Sequence, residues 1–163
     1  MIQDLALITV PLVLVASALG HLLRPYGLPA ALRAHRTLPA ALIVPVAGVV
    51  VLAELVLGLL TVVVARPALA GAAVLLISYV LYGSYVLRTR PSVPCGCGGA
   101  ETPLTGWVVI RAAALAVLAL AGAGFAGPLP HGSDLAITAL AGTTFAVLLW
   151  ALPRALTVPG RTS

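Results

Sequence analysis

The chain has 163 residues, of which 61% are hydrophobic and only 8% are charged, and its mean hydropathy is +1.16. This composition excludes a water-soluble domain, because a soluble core of that size needs a charged shell around it. The net charge of +5 rests on nine arginines. Arginines between apolar runs indicate membrane orientation rather than binding to nucleic acid.

Five apolar segments are each long enough to cross a bilayer, which takes about 20 residues. They are predicted at residues 5–23, 40–65, 68–87, 107–127 and 135–152. The sequence therefore predicts an all-α, polytopic transmembrane helix bundle of about five helices. We expect one integral membrane domain, residues 1–163, with the first four helices as its core.

The connectors and side-chain patterns suggest how the segments are arranged. A turn at 26–29 precedes a short basic stretch that is suited to an interfacial helix, and Arg66-Pro67 is predicted to turn the chain into a hairpin. Tyr79, Tyr82 and Tyr85 recur at spacing three, which we interpret as an aromatic belt in preference to a ligand-binding stripe.

Small residues at spacing four are typical of close helix packing in membranes. They occur in the fourth segment, as Ala112/Ala116 and Ala119/Ala123/Gly127, and in the fifth, as Gly142/Ala146. We expect the fourth helix to lie centrally in the bundle.

The loop at 88–106 contains both cysteines of the chain, Cys95 and Cys97, separated by Gly96. Two cysteines at this spacing can close a small disulfide ring if the backbone bends sharply, which the glycine permits. Strained, exposed disulfides are the labile or catalytic ones. A redox role is the leading hypothesis, and a glycine-rich turn with two inert thiols is the alternative.

Two charged residues lie inside predicted membrane segments, Glu54 near the middle of the second and Arg111 early in the fourth. A charge in the membrane interior costs at least ~2.5–3.5 kcal/mol, so each needs a partner, a protein-lined pocket or water. They could form a buried salt bridge that fixes helix register. They could instead support the cysteines, with Arg111 favouring the reactive thiolate.

Two further residues lie at the same predicted membrane side. Glu101 follows Cys97 by four residues and would oppose thiolate formation unless it accepts a proton. His21, near the end of the first segment, could move protons or bind a metal, although an interfacial histidine is the commoner case.

Arginine distribution predicts the orientation. One side of a five-helix bundle would carry seven arginines, and the other only Arg66; the seven are Arg24, Arg33, Arg36, Arg88, Arg90, Arg154 and Arg161. By the positive-inside rule, the N-terminus is outside and the CxC loop cytoplasmic, in a bacterial-type cell membrane.

A family resemblance rests on three features in a fixed order: the run 53–60 around Glu54, the CxC loop, and Arg111. Together with the turn at 26–29, they resemble the MauE branch of the DoxX-like membrane proteins over about residues 5–127. The resemblance implies a small helical bundle associated with thiol redox, named for methylamine utilisation and linked to disulfide formation in a dehydrogenase subunit. It also implies that Glu54, Cys95, Cys97 and Arg111 act together.

The sequence thus predicts a membrane thiol–disulfide redox protein, a candidate oxidoreductase, that passes reducing equivalents to or from a partner protein. Two cysteines alone do not carry electrons across a bilayer, so a second thiol protein, a quinone or another small carrier is required. One rival is a copper or zinc protein that uses Cys95, Cys97 and His21, although structural zinc usually takes four ligands. Another is a non-catalytic assembly subunit.

Overall fold

A computed structural model describes residues 2–90, 93–96, 103–124 and 133–155. In these ranges the chain forms six helices and no strand, which confirms the all-α bundle. The helices are α1 (Ile2–Leu23), α2 (Gly27–His35), α3 (Ala40–Leu60), α4 (Ala65–Thr89), α5 (Gly106–Gly124) and α6 (Ser133–Ala155).

Four of these helices, α1, α3, α4 and α5, are long and apolar enough to span a membrane. They correspond to the first four predicted segments. The apolar part of α6 that the structure describes, Ala136–Leu149, is shorter, so the fifth crossing stays a prediction. The short helix expected after the first segment is α2.

The turn between α3 and α4 differs from the prediction. Arg66 and Pro67 do not form it but lie in the first turn of α4, where a proline is tolerated because the first N–H groups have no helical partner. The chain turns earlier, at residues 61–64. There Thr61 donates its hydroxyl to the carbonyl of Gly58 at 2.6 Å, a side-chain bond that competes with continued helix.

The first helix, rather than the fourth segment, occupies the centre of the bundle. Helix α1 packs against α3, α4, α5 and α6, whereas α5 packs mainly against α4 and α1. The main buried cluster joins α1, α4 and α5 and includes Leu14, Leu69 and Leu115. The predicted small residues Ala112, Ala116 and Ala119 are buried, so α5 does use them for packing.

Glycines allow α1 to approach its neighbours closely. A Cβ at Gly58 of α3 would lie 2.7 Å from a methyl carbon of Val15, and one at Gly142 of α6 would lie 2.8 Å from a methyl carbon of Ile8. Thr9 also donates a hydrogen bond to the carbonyl of Gly142. The packing face predicted for the fifth segment therefore contacts α1.

Candidate functional site

The described part of the CxC loop is folded back onto the helices. An isolated antiparallel bridge joins Pro94 to Pro103, and the N–H of Leu104 donates to the carbonyl of Val93 at 2.8 Å. Cys95 is only 8% exposed and packs with Val86 and Leu104. Cys97 and Glu101 lie outside the described residues, so the structure gives no position for either.

Gly96 has a left-handed backbone, with φ of +78°. L-residues other than glycine adopt this conformation at a cost, because their Cβ approaches the neighbouring carbonyl. The residue also lies directly against α2, where an added Cβ would be 2.9 Å from the Cβ of Ala31. Both the bend and the packing therefore require glycine at this position.

A chain of hydrogen bonds holds the loop next to the bundle. His35, at the end of α2, is 3% exposed, and its Nε2 lies 2.9 Å from the carbonyl oxygen of Pro94. Its Nδ1 lies 2.9 Å from the hydroxyl of Tyr82 on α4, which is 2.9 Å from the hydroxyl of Thr37.

The donor of each hydrogen bond in this series can be assigned by starting from the carbonyl of Pro94. The carbonyl of Pro94 only accepts, so Nε2 of His35 carries the proton that it donates. In the neutral imidazole, whose other ring nitrogen accepts, Tyr82 donates to Nδ1 and in turn accepts from Thr37. The residue that precedes Cys95 is thus tied through His35 to α2 and α4.

Glu54 forms a second polar cluster deeper in the bundle, where α1, α3 and α4 meet. Its side chain is 2% exposed, and Oε1 accepts hydrogen bonds from Ser17 and Tyr79, each at 3.0 Å. Its other oxygen, Oε2, is buried and has no hydrogen-bond partner among the residues that the structure describes. Nε2 of the buried His21 lies 3.8 Å from Oε2, which is too far for a hydrogen bond.

Arg111 lies near this cluster but not in direct contact with it. Within the described residues, no ion pair shorter than 4 Å joins Arg111 to Glu54, whose close neighbours are Ser17, Tyr79 and His21. Both side chains line one shared cavity. A cavity wall is one of the environments that the sequence predicted for them.

This central cavity has a volume of about 360 Å³ and connects the two polar clusters. Most of its wall is apolar, contributed by leucine and valine side chains of α2, α3, α4 and α5. The chemically active side chains on it are His21, His35, Glu54, Tyr79, Tyr82, Cys95 and Arg111. The structure thus brings Cys95, Glu54, Arg111 and His21 to the surface of one space.

A second cavity, of about 400 Å³, lies between α3 and the region where α1 joins α2. His21 lines both cavities. It is therefore buried between two spaces rather than placed at a helix end facing the interface, as the commoner reading of its position had suggested.

The described residues contain no group of three or more His, Cys, Asp or Glu side chains that could hold a metal ion. His21 is directed to Glu54, and His35 uses both ring nitrogens in the hydrogen-bond chain.

Sequence reasoning missed His35 altogether and misread two tyrosines. The aromatic-belt interpretation is wrong for Tyr79 and Tyr82, which bind Glu54 and His35, while Tyr85 is exposed. At 3.6 residues per turn, a spacing of three drifts by about 60° at each step, so the stripe leaves the cavity side by Tyr85. The polar residues His35 and Thr37 of the connector were a better indication of the hydrogen-bond chain than the spacing of the tyrosines.

Comparison with known proteins gives one positive result. A family model described as methylamine utilisation protein MauE matches residues 2–127, which include α1 to α5 and the CxC loop. No curated protein and no solved structure matches the chain.

Proposed function

The chain belongs to the MauE family of membrane proteins, and from this we propose that it exchanges thiols and disulfides with a partner through Cys95 and Cys97. In this proposal the protein passes reducing equivalents to or from a partner protein, as a thiol–disulfide oxidoreductase of the membrane. The description as a methylamine utilisation protein belongs to the protein for which the family is named.

The observation that carries the proposal is the placement of Cys95. It lies on the wall of an intramembrane cavity together with Glu54 and Arg111, the charged residues that cost most to place there. If the two charges had only a structural role, burying them would cost less free energy when they were paired with each other. Their position around a cavity that also contains a thiol favours a chemical role.

The proposed reaction is two successive exchanges. The thiolate of one cysteine attacks a disulfide of the partner, forms a mixed disulfide and releases one partner thiolate. The second cysteine then attacks the mixed disulfide, so the CxC pair becomes oxidised and the partner is released with both thiols reduced. Each exchange is reversible, so the same two steps in reverse let the CxC disulfide oxidise two partner thiols and leave the CxC pair reduced. The positive φ of Gly96 supports this step, because a sharp bend between the cysteines is needed for the ring.

Arg111 and His35 have supporting roles in this scheme. The guanidinium of Arg111, on the same cavity wall, favours the thiolate over the thiol. His35 acts as a positioning residue, because it holds the carbonyl next to Cys95.

Single-cysteine variants test the proposal. In membranes under oxidising conditions, Cys95→Ser or Cys97→Ser should accumulate a mixed disulfide with a partner protein or glutathione, because the resolving thiol has been removed. Mass spectrometry after thiol trapping should find a reversible Cys95–Cys97 disulfide in the unaltered protein. The double serine variant, which has no thiol, is the control.

Two outcomes would contradict this. If neither single-cysteine variant forms a mixed disulfide while the unaltered chain keeps both thiols reduced, the loop is not redox active. Thiols that are protected from trapping until a chelator is added would indicate the metal-binding rival instead.

A further inference from the structure

We propose that the central cavity binds a quinone, which serves as the electron acceptor for the reduced CxC pair. This inference rests on the proposed thiol–disulfide function and names the small molecule that completes it. Four properties of the cavity support it: its volume, its apolar wall, an unpartnered buried oxygen, and the position of Cys95.

The size and lining of the cavity suit a lipid-soluble ring. Its volume of about 360 Å³ lies within the ~300–1,000 Å³ that is typical of small-molecule sites. Its wall is formed mainly by side chains such as Leu75, Val50 and Val108, with a few polar groups. A small molecule that partitions into the membrane and carries few polar atoms fits such a site best.

The unpartnered oxygen of Glu54 indicates where the polar end of that molecule binds. Within the described part of the chain, the buried Oε2 has no hydrogen-bond partner, while Oε1 accepts hydrogen bonds from Ser17 and Tyr79. An unsatisfied buried polar atom is costly, so a ligand that bonds to it gains accordingly. A carboxylic acid donates to a quinone carbonyl, and a carboxylate accepts from a hydroquinone hydroxyl, so Glu54 matches both redox states.

Cys95 lies at the other end of the same cavity. It packs against Val86, whereas Glu54 bonds to Tyr79, seven residues earlier on α4. At a rise of about 1.5 Å per residue, the two ends are separated by roughly 10 Å along the helix. A quinone ring with an oxygen on each side, together with its contacts to Glu54 at one end and to Cys95 at the other, spans most of this distance.

With a quinone as acceptor, the exchanges run in the oxidising direction: the CxC disulfide takes two electrons from two partner thiols, the partner leaves as a disulfide, and the CxC pair is left reduced. Two thiols lose two electrons and two protons as one S–S bond forms, and one quinone gains two electrons and two protons to become a hydroquinone. Glu54 is placed to supply or relay a proton to the quinone oxygen that it contacts. Regeneration of the CxC disulfide then needs no second pair of cysteines in this chain.

Binding of decylubiquinone to the purified full-length protein in lipid nanodiscs is the first test. Val50→Phe places a phenyl ring in the cavity and should weaken binding roughly tenfold or more. Val49→Phe is the matched control, because the neighbouring side chain is 66% exposed on the outer surface of α3 and should leave binding unchanged. Equal affinity in both variants would overturn the site.

A second measurement uses the unaltered protein and does not depend on the folding of a variant. A photoactivatable azidoquinone should label residues of the cavity wall, such as those of α4 between Leu75 and Gly83, and excess decylubiquinone should prevent this labelling. Labelling confined to exposed positions such as Val49 or Val74, without competition, would overturn the inference.

An assay of quinone reduction distinguishes the quinone site from the proposed thiol–disulfide exchange. Protein reduced with dithiothreitol and then desalted should convert one decylubiquinone to hydroquinone per CxC pair, and Glu54→Gln should slow this step more than it weakens binding. A protein that forms mixed disulfides but neither binds nor reduces decylubiquinone keeps the proposed function and loses the quinone. A protein that binds decylubiquinone in the cavity but never forms a mixed disulfide loses the proposed function.

Discussion

At the scale of single residues, Gly96 joins the chemistry of the loop to the packing of α2. Its positive φ allows the bend between the cysteines, and its missing side chain allows contact with Ala31 and Leu28. The sequence predicted the first requirement from the CxC spacing. The second depends on which helix the loop meets, and only the structure shows that this is α2.

Replacement of Gly96 should show that both the left-handed backbone and the close contact with α2 require glycine. Gly96→Ala should lower the free energy of unfolding by roughly 1–2 kcal/mol for the left-handed backbone, and further for the contact at 2.9 Å with the Cβ of Ala31. In the Ala31→Gly background, the loss of stability caused by the contact should disappear, while the loss caused by the left-handed backbone remains. Titration with SDS in mixed micelles measures these differences.

Gly106→Ala is the control for this series, because an added Cβ there meets no atom of the described residues within 4 Å. An equal effect of Gly96→Ala in both backgrounds would show that the loop does not rest on Ala31 in the membrane. The disulfide yield of Gly96→Ala, measured by thiol trapping, should fall in both backgrounds because the backbone strain is common to them.

At the scale of elements, Glu54 joins three membrane helices. It is carried by α3 and receives hydrogen bonds from Ser17 of α1 and Tyr79 of α4. A carboxyl group is costly in the membrane interior, and hydrogen bonds from two neighbouring helices offset part of that cost. The register of α3 relative to α1 and α4 is thereby set at one point.

A double-mutant cycle should measure this link. Tyr79→Phe should destabilise the protein by about 0.6–1.7 kcal/mol, the range found for hydrogen bonds between membrane helices, and should have little effect in the Glu54→Leu background. Tyr85→Phe, six residues further along the same helix and 57% exposed, should change stability little. Equal losses for Tyr79→Phe in both backgrounds would show that the bond contributes nothing.

At the scale of the whole molecule, the bundle places its chemistry near one end. The α1–α2 turn, α2 itself and the CxC loop lie together, and the α3–α4 turn lies at the opposite end of the helices. Five arginines of the described chain are exposed: Arg24, Arg33, Arg36 and Arg88 belong to the end with the cysteines, and only Arg66 belongs to the opposite end. The positive-inside rule therefore still predicts that this end is cytoplasmic.

Introduced cysteines can test this orientation without the arginines being altered. In a background lacking both native cysteines, Tyr26→Cys should react with a membrane-impermeant maleimide in inverted vesicles, and Val63→Cys in intact cells. Both sites are well exposed, at 83% and 80%, so burial does not decide the result. The reverse pattern would place the cysteine loop outside, next to exported substrates.

The sequence by itself determined the class of the molecule and the approximate extent of its membrane helices. Apolar runs of about 20 residues have no other stable form in lipid than a helix, since every backbone N–H and C=O must be bonded internally. It also singled out Cys95, Glu54 and Arg111, because thiols and charges are conspicuous against 61% hydrophobic residues.

What only the tertiary structure decided is which of these residues meet. Glu54 is bonded to Ser17 and Tyr79 rather than paired with Arg111 because the antiparallel packing of α1 and α3 brings residues 17 and 54 to the same level. His35 reaches Pro94 because α2 lies beside the end of α4, a contact between residues 59 positions apart. Local patterns report the face and period of one helix, whereas a cavity is formed by several helices whose mutual rotation depends on side-chain packing.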